Sequence, residues 1–324
     1  MEFSPGTAEI GVCVVLISSS VIGNTSLIYC TRRCISEQLR TSFMLIFSLA
    51  YVHLINSLVV DVLKIVYASG VGLNSASCKA FTFTAMSTTS LAIWFTLYIA
   101  MLYCFKLHQV VHPPVEAATT NHRKYHLVLL SALWVTGFGV CSPLLLYTEK
   151  TGKLFKENET CQQFSNSIYA ECKAEYKNYH IEVLYGKIFL VTIDFLPLLF
   201  MILIGFRILY LFWEYKKATS GGIWMGDDAT EAEILRACKR VLLLILLIAS
   251  LWISYFVLFY CLKNFKSYYF APPILTALSS GYSAVSPYLL MLINYTVQVK
   301  MRCFCYKGEK KPASLSAVDV SPYA

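Results

Sequence analysis

The chain has 324 residues, of which 57% are hydrophobic and only 14% are charged, and its formal net charge is +8. A soluble domain of this composition would have too little polar surface to stay in solution, so the composition indicates a membrane protein. No basic cluster alternates with stacking aromatic residues along one groove, which argues against a nucleic-acid partner.

Seven stretches are long and apolar enough to cross a bilayer, for which a helix needs about 20 residues. Six carry no charge, and the stretch Ile188–Phe206 is interrupted only by Asp194. We therefore predict an all-α membrane protein, a seven-transmembrane helix bundle in contact with the lipid bilayer. The six charge-free spans are Ile10–Thr31, Thr41–Val60, Ala80–Phe105, Tyr125–Thr148, Val241–Leu262 and Ser267–Val299.

The distribution of basic residues predicts the orientation of the bundle. An odd number of spans puts the termini on opposite sides, and cytoplasmic loops carry an excess of lysine and arginine. With the amino terminus outside, every arginine falls in a cytoplasmic segment. The glycosylation sequon at Asn158 then lies in an extracellular loop, as that modification requires. We expect a multi-pass plasma-membrane protein with an extracellular amino terminus and a cytoplasmic carboxyl terminus.

The carboxyl-terminal region divides the chain into two parts. We predict one seven-transmembrane domain over residues 1–306, ending in a short basic interfacial helix, and a disordered cytoplasmic tail over residues 307–324. Cys303 and Cys305 in the interfacial helix are predicted palmitoylation sites. A capping box at Thr230–Glu233 predicts that the sixth helix starts well below the membrane.

Three cysteines have polar neighbours on the predicted outer side, namely Cys78, Cys161 and Cys172. Cys78 begins the third span and Cys172 precedes the fifth, so a disulfide between them would pin the long outer loop across the helix ends. Cys161 is the alternative partner for Cys78.

Asp194 is an ionisable group inside the fifth span, where it should face the bundle interior or water rather than lipid. It either anchors a polar or cationic ligand group or serves as a structural hydrogen-bonding acid. Other outer-half residues favour a largely apolar small-molecule pocket, although each is equally compatible with ordinary packing. They are Ala85, Met86 and Thr89, expected on nearly one face of the third helix, and the aromatic residues Tyr255, Phe259 and Tyr282.

Asp61 and Lys64 stand three residues apart near the outer end of the second span and are predicted to form a structural ion pair. His108 and His112 have the spacing of metal ligands on a helix, but no third ligand is near and prolines follow, so we expect no metal site. No catalytic motif is visible and the seventh span has no lysine for a retinal Schiff base. We therefore expect neither an enzyme nor a cofactor.

Motifs in the third and seventh spans carry a family resemblance. Trp94-Phe95 followed by Leu102-Tyr103-Cys104-Phe105-Lys106-Leu107 resembles a segment shared by bitter taste receptors and vomeronasal type-1 receptors. Ser286-Pro287-Tyr288-Leu289-Leu290-Met291 resembles the vomeronasal seventh helix, and the outer loop is similar in spacing to vomeronasal receptors and to the class A-related olfactory receptors of fish.

The main rhodopsin-like branch of the G-protein-coupled receptors has signatures that this chain lacks. Tyr103 stands where that branch carries the arginine of Asp-Arg-Tyr, Ser286-Pro287 replaces the start of Asn-Pro-x-x-Tyr, and the sixth span has no Cys-Trp-x-Pro. The resemblance therefore points away from that branch and toward vomeronasal type-1-like receptors.

The resemblance implies a chemosensory receptor that detects a small odorant or pheromone-like ligand and activates a heterotrimeric G protein. A bitter taste receptor is the alternative, although those receptors usually lack the outer disulfide. A membrane transporter or channel is an alternative of another class. From geometry and charge, the residues expected to face the G protein are Tyr103, Lys106, Arg207, Arg236, Lys239 and Arg240.

Overall fold

The computed structural model describes eight segments of the chain, and these form seven long helices and a small sheet. The described residues are 5–33, 40–112, 123–150, 168, 172–174, 179–220, 228–258 and 271–293. Several predicted features lie outside these residues and stay predictions. They are the Phe259 pocket contact, Asn158 glycosylation, the Cys161 alternative, Cys303 and Cys305 palmitoylation, and the tail.

The seven helices follow the predicted spans in order. The second and fifth each contain a π-helical segment, Asn56–Asp61 and Glu182–Phe189 respectively. The helices are α1 (Pro5–Arg33), α2 (Arg40–Ile55, Asn56–Asp61 and Val62–Ala68), α3 (Ser75–Val111), α4 (Arg123–Cys141), α5 (Tyr179–Ile181, Glu182–Phe189 and Leu190–Ser220), α6 (Asp228–Phe256) and α7 (Ala271–Ile293).

Among the described residues, five helical stretches are long and apolar enough to cross a membrane. The predicted sixth and seventh spans are helical as well over their described residues. α6 begins with a charged segment, and α7 contains several serine and threonine residues that face its neighbours. The five stretches are Gly6–Arg32, Met44–Ala68, Ser75–Val111, Lys124–Tyr147 and Thr192–Ala218.

α3 is the central helix, because it packs against α2, α4, α5 and α6. Its middle is fully enclosed: Phe95 and Ala100 are each 0% exposed. The helix starts earlier than its charge-free run because the Asn74 side chain caps it, accepting a 2.7 Å hydrogen bond from the Ser77 amide. Such capping satisfies a backbone donor that the helix itself leaves unpaired.

Two glycines allow helices to approach closely. A Cβ at Gly23 of α1 would lie 2.7 Å from Pro287 Cγ of α7, and a Cβ at Gly137 of α4 would lie 2.5 Å from Leu91 Cδ2 of α3. Small residues commonly occupy such positions in membrane bundles, where close backbone approach increases van der Waals contact.

A disulfide and a two-stranded sheet lie at the end of the bundle that the sequence predicts to be extracellular, which we call the outer end; the opposite end is called the inner end. β1 (Thr148–Lys150) pairs antiparallel with β2 (Cys172–Ala174), with Lys150 opposite Cys172. Cys172 is bonded to Cys78 near the start of α3, with 5.0 Å between their Cα atoms. The bond therefore holds β2 against the start of the central helix, and the predicted pairing of Cys78 with Cys172 is present.

The inner end of α6 extends far below the apolar part of the helix. α6 begins at Asp228, thirteen residues before Val241, which corresponds to about 20 Å of helix. The extension was predicted, but its start was not, because Thr230 lies within the helix rather than at its cap.

Candidate functional site

An acid and a hydroxyl connect α3 and α5 in the outer half of the bundle. Ser90 Oγ donates a 2.5 Å hydrogen bond to Asp194 Oδ1. Both residues sit within apolar helices, where an ionisable side chain needs a polar partner or water. Asp194 therefore faces the bundle interior, as expected from its position in the sequence.

The wall above this pair is formed by α3, α4 and α5. Met86, one turn above Ser90, packs against the buried pair Cys141 and Leu144, as do Phe83 and Tyr185. Tyr185 also donates a 2.5 Å hydrogen bond to the Val140 carbonyl, which ties α5 to α4. Met86, a predicted pocket residue, thus lies on the side of α3 that faces Asp194 of α5.

Ala85 lies on a different side of α3 from Met86, so the single face expected for these residues is split. Ala85 packs against the buried cluster that contains Val60 of α2 and the Cys78–Cys172 pair, whereas Met86 packs against Cys141 and Leu144. Consecutive helical residues are separated by about 100°. Adjacent positions can therefore contact different neighbours. Thr89 is partly buried on the same helix.

Tyr282 lies deeper than the outer-half wall on which the sequence placed it. It is only 5% exposed, and its hydroxyl is 2.5 Å from Thr96 Oγ1. Thr96 lies two helical turns beyond Thr89. The Tyr282 ring also meets His53 edge-on, with 5.1 Å between ring centroids. Tyr282 therefore joins α2, α3 and α7 at the centre of the bundle.

Tyr255 contacts α7 at the outer end of α6. Its ring is 5.5 Å from that of Trp252, and it packs against the buried residues Ala271 and Leu275. This packing is compatible with the alternative interpretation of Tyr255 as an interhelical contact.

The Asp61–Lys64 ion pair is present, with 3.2 Å between Lys64 Nζ and Asp61 Oδ1, and both side chains are 0% exposed. Lys64 Nζ also lies 3.0 Å from Ser279 Oγ and 3.1 Å from Ser280 Oγ. Ser280 Oγ donates to Asp61 Oδ1 in turn. The pair thus connects α2 to α7, which spacing along α2 alone did not predict.

A second polar contact joins α1 to α7 nearby. Glu9 is 6% exposed, and its Oε1 accepts a 3.3 Å hydrogen bond from Thr276 Oγ1. Both contacts lie in the outer part of the bundle. They hold α1, α2 and α7 together through polar groups that would be costly to expose to lipid.

A polar network that the sequence did not predict connects α1, α2, α3 and α7. Asn24 Nδ2 donates to the Ser20 and Ser283 carbonyls at 2.8 and 3.2 Å. Asn56 connects to Ser283 and Thr88. Small polar residues inside charge-free spans are the sequence signal for such a network, because they need partners away from water.

The inner ends of α3 and α6 carry most of the residues predicted to face a G protein. Lys106 Nζ lies 5.2 Å from the centre of the Tyr103 ring, and Cys238 Sγ of α6 is 3.5 Å from the Tyr103 carbonyl oxygen. Arg236 and Lys239 are exposed.

Arg240 and His112 complete the inner face. Arg240 Nη1 is buried and has no hydrogen-bond partner among the described residues. His112 Nε2 lies 3.2 Å from Glu214 Oε1, which connects the inner ends of α3 and α5. His108 and His112 stack edge-on, and the described residues contain no cluster of three metal-ligating side chains.

Arg207 is set apart from the other basic residues. It is exposed on α5, and its guanidinium carbon lies 5.1 Å from the centre of the Tyr210 ring. The buried side of this helix is formed by Met201, Ile208 and Leu211, each 0% exposed. Arg207 therefore lies on the exposed side of α5 rather than on the side that packs against the other helices.

A match to a protein-family model covers most of this helical arrangement. The family model described as 7 transmembrane receptor (rhodopsin family) matches residues 23–290, which include parts of all seven helices. No curated protein matches the chain. The missing Asp-Arg-Tyr, Asn-Pro-x-x-Tyr and Cys-Trp-x-Pro signatures point away from the main rhodopsin-like branch, but the family that matches is the rhodopsin family, and the match does not identify a vomeronasal type-1 or fish olfactory receptor within it. The chain belongs to the rhodopsin family of seven-transmembrane receptors, which are multi-pass plasma-membrane receptors and not enzymes.

Proposed function

We propose that this receptor is chemosensory and of the vomeronasal type-1 kind. It detects a small odorant or pheromone-like molecule in the outer half of the bundle and activates a heterotrimeric G protein. The observation that carries the ligand site is the Ser90–Asp194 hydrogen bond, which presents a carboxyl group between α3 and α5 below the pinned outer loop.

The chemistry of this site suits a small molecule with one polar or cationic group. Met86 and Tyr185 contribute apolar surface above Asp194, and the carboxylate can accept a charge-assisted hydrogen bond. Ligand binding would shift the balance between two arrangements of the helices, one of which opens the inner face.

The inner face supports coupling to an acidic partner. Lys106, Arg236, Lys239 and Arg240 give it positive charge, and the exposed side chains of Arg236 and Lys239 can donate to a carboxylate or carbonyl of the partner. With Tyr103, these four residues form the proposed G-protein surface. The proposed orientation, with the amino terminus outside, rests on the distribution of basic residues.

A bitter taste receptor is the second candidate. The third-helix motif fits both kinds of receptor, but the Cys78–Cys172 bond favours the vomeronasal type, since bitter receptors usually lack it.

The test is a reporter cell that expresses the full chain with a promiscuous G protein. A panel of odorants, bile acids, amines, aromatic acids and bitter alkaloids is applied, and nucleotide exchange is measured. We expect a response to an odorant-like compound that is absent in untransfected cells. Surface-expressed protein that gives no exchange with any compound would contradict the proposal, and a response confined to alkaloids would favour the bitter alternative.

A further inference from the structure

Two basic and two aromatic side chains alternate along the exposed side of α5 near its inner end. We call Arg207, Tyr210, Trp213 and Lys217 the α5 ladder. Tyr210 and Trp213 are 49% and 59% exposed, and both basic residues are exposed as well. Their spacings of three and four residues place them on one side of the helix, because residues so spaced are surface neighbours.

The ladder is a continuous series of contacts. The Arg207 guanidinium carbon lies 5.1 Å from the Tyr210 ring centre, the Tyr210 and Trp213 ring centres are 6.0 Å apart, and Lys217 Nζ lies 5.6 Å from the Trp213 ring centre. Cations within about 6 Å of an aromatic face are attracted by its quadrupole. The rings therefore hold both charges in place.

The charged groups of Arg207 and Lys217 lie close to each other beside the rings of Tyr210 and Trp213, in a region that we call the band. Arg207 reaches toward the carboxyl end of α5 and Lys217 reaches back toward the amino end, so both charges lie beside the two rings. Tyr210 and Trp213 are separated by about 4.5 Å along the helix axis. Glu214 Oε1 lies 3.2 Å from His112 Nε2 of α3, so this carboxylate is directed toward α3 rather than toward the two rings. The band is thus positively charged.

The band lies where the apolar stretch of α5 ends, which indicates that it is near the lipid headgroups. Arg207 is the first charged residue after the apolar stretch Ile188–Phe206, and Phe206 beside it is 64% exposed. Tyrosine and tryptophan are enriched where hydrocarbon meets the headgroups, and long basic side chains extend toward that layer. A molecule bound beside these residues would contact both the exposed apolar surface of α5 and the two cations, Arg207 and Lys217.

We propose that the α5 ladder binds the headgroup of an acidic glycerophospholipid, with its acyl chains along the exposed apolar surface of α5. A headgroup such as phosphatidylserine carries a phosphate and a carboxylate, which match the two cations by charge. This site is distinct from the proposed ligand pocket and G-protein surface, and it does not depend on either of them.

The test uses the full-length chain in phosphatidylcholine vesicles that contain a trace of spin-labelled phosphatidylserine or spin-labelled phosphatidylcholine. The fraction of each label immobilised by the protein gives its lipid selectivity. We expect wild type to select phosphatidylserine, and selectivity to fall in Arg207→Gln/Lys217→Gln by about fivefold for each of the two cations removed, since each cation near a membrane surface contributes an attraction of this order. High ionic strength should weaken the wild-type preference.

Matched variants distinguish an effect of the α5 ladder from a general effect of positive charge. Lys124→Gln/Lys239→Gln removes the same charge from exposed inner-end positions on α4 and α6, and it should keep the selectivity. Arg207→Lys should keep most of it as well. Equal losses in the two double variants would overturn the proposal. So would a ladder variant that changes cross-linking between receptor copies while lipid selectivity stays unchanged, because the ladder would then contact a second copy of this chain.

Discussion

Ser90 Oγ of α3 donates a 2.5 Å hydrogen bond to Asp194 Oδ1 of α5, which joins two helices across the outer half of the bundle. The bond orients a carboxylate whose second oxygen remains able to accept from a ligand. This relationship makes the proposed role of Asp194 testable by a substitution of equal size.

Asp194→Asn keeps an oxygen that can accept from Ser90 but removes the negative charge. If a cationic ligand group pairs with Asp194, agonist potency should fall by about tenfold or more, since hydrogen bonds between charged groups contribute about 1.5–3 kcal/mol. Dose–response curves and surface labelling of the same cells measure the two effects. Ser250→Ala, at an exposed site on α6, is the control for expression. Loss of surface expression in Asp194→Asn, with unchanged potency in the remaining receptors, would identify a structural acid.

The buried Asp61–Lys64 pair gives a prediction about stability. Lys64→Met leaves the Asp61 carboxylate buried without its cation, and breaking one partner of a buried pair costs about 3–5 kcal/mol. Asp61→Asn/Lys64→Met removes both charges and should recover most of the loss. Thermal unfolding of the purified receptor in detergent measures Tm for each variant. Additive losses in the double variant would show that the two residues are not coupled.

The helices could be predicted from the sequence, because they depend on local patterns. Charge-free runs near 20 residues long indicate spans wherever they occur. The sequence favoured Cys172 as the partner of Cys78 but left Cys161 as an alternative, and the structure shows the bond between Cys78 and Cys172. These predictions needed no knowledge of how each helix is rotated in the bundle.

Contacts that depend on helix rotation were harder to predict. Ala85 and Met86 contact different neighbours, and Tyr282 reaches Thr96 at the bundle centre, because tertiary packing sets each helix's rotation and depth. The contacts of Lys64 with Ser279 and Ser280 join helices more than 200 residues apart in the chain. Spacing within a single helix carries no information about such partners.

The α5 ladder was missed for a related reason. No run of adjacent basic and aromatic residues marks it in the sequence, although Arg207, Tyr210, Trp213 and Lys217 alternate at helical spacing. Apolar residues separate them in the sequence, so the series becomes visible only when α5 is known to be helical and this side of it exposed.

The outer disulfide predicts equal effects for its two cysteines. Cys78→Ser, Cys172→Ser and the double variant should lower surface expression and agonist potency to the same extent, because each removes the same bond. Cys161→Ser should behave like wild type. Flow cytometry of surface-labelled cells and dose–response curves provide the measurements. A defect in Cys161→Ser as large as that in Cys78→Ser would instead support a role for the alternative pairing.

The close contact of α1 with α7 predicts that Gly23→Ala destabilises the bundle. The added Cβ would lie 2.7 Å from Pro287 Cγ and 3.1 Å from the Tyr288 ring, and the proline ring cannot rotate away. Forcing an extra carbon into a packed site typically costs about 1–3 kcal/mol. We expect Tm of the purified receptor to fall by several degrees.

Gly11 provides the matched control, because it lies on the same helix and a Cβ there meets nothing within 4 Å. Gly11→Ala should leave Tm unchanged or raise it slightly, since alanine is favoured over glycine in a helix by about 1 kcal/mol. Adding Pro287→Ala to Gly23→Ala removes the ring that the new Cβ meets. The double variant should therefore lose less stability than the two single losses combined. If Gly23→Ala and Gly11→Ala gave the same Tm, α1 and α7 would not pack as closely as their contact at Gly23 indicates.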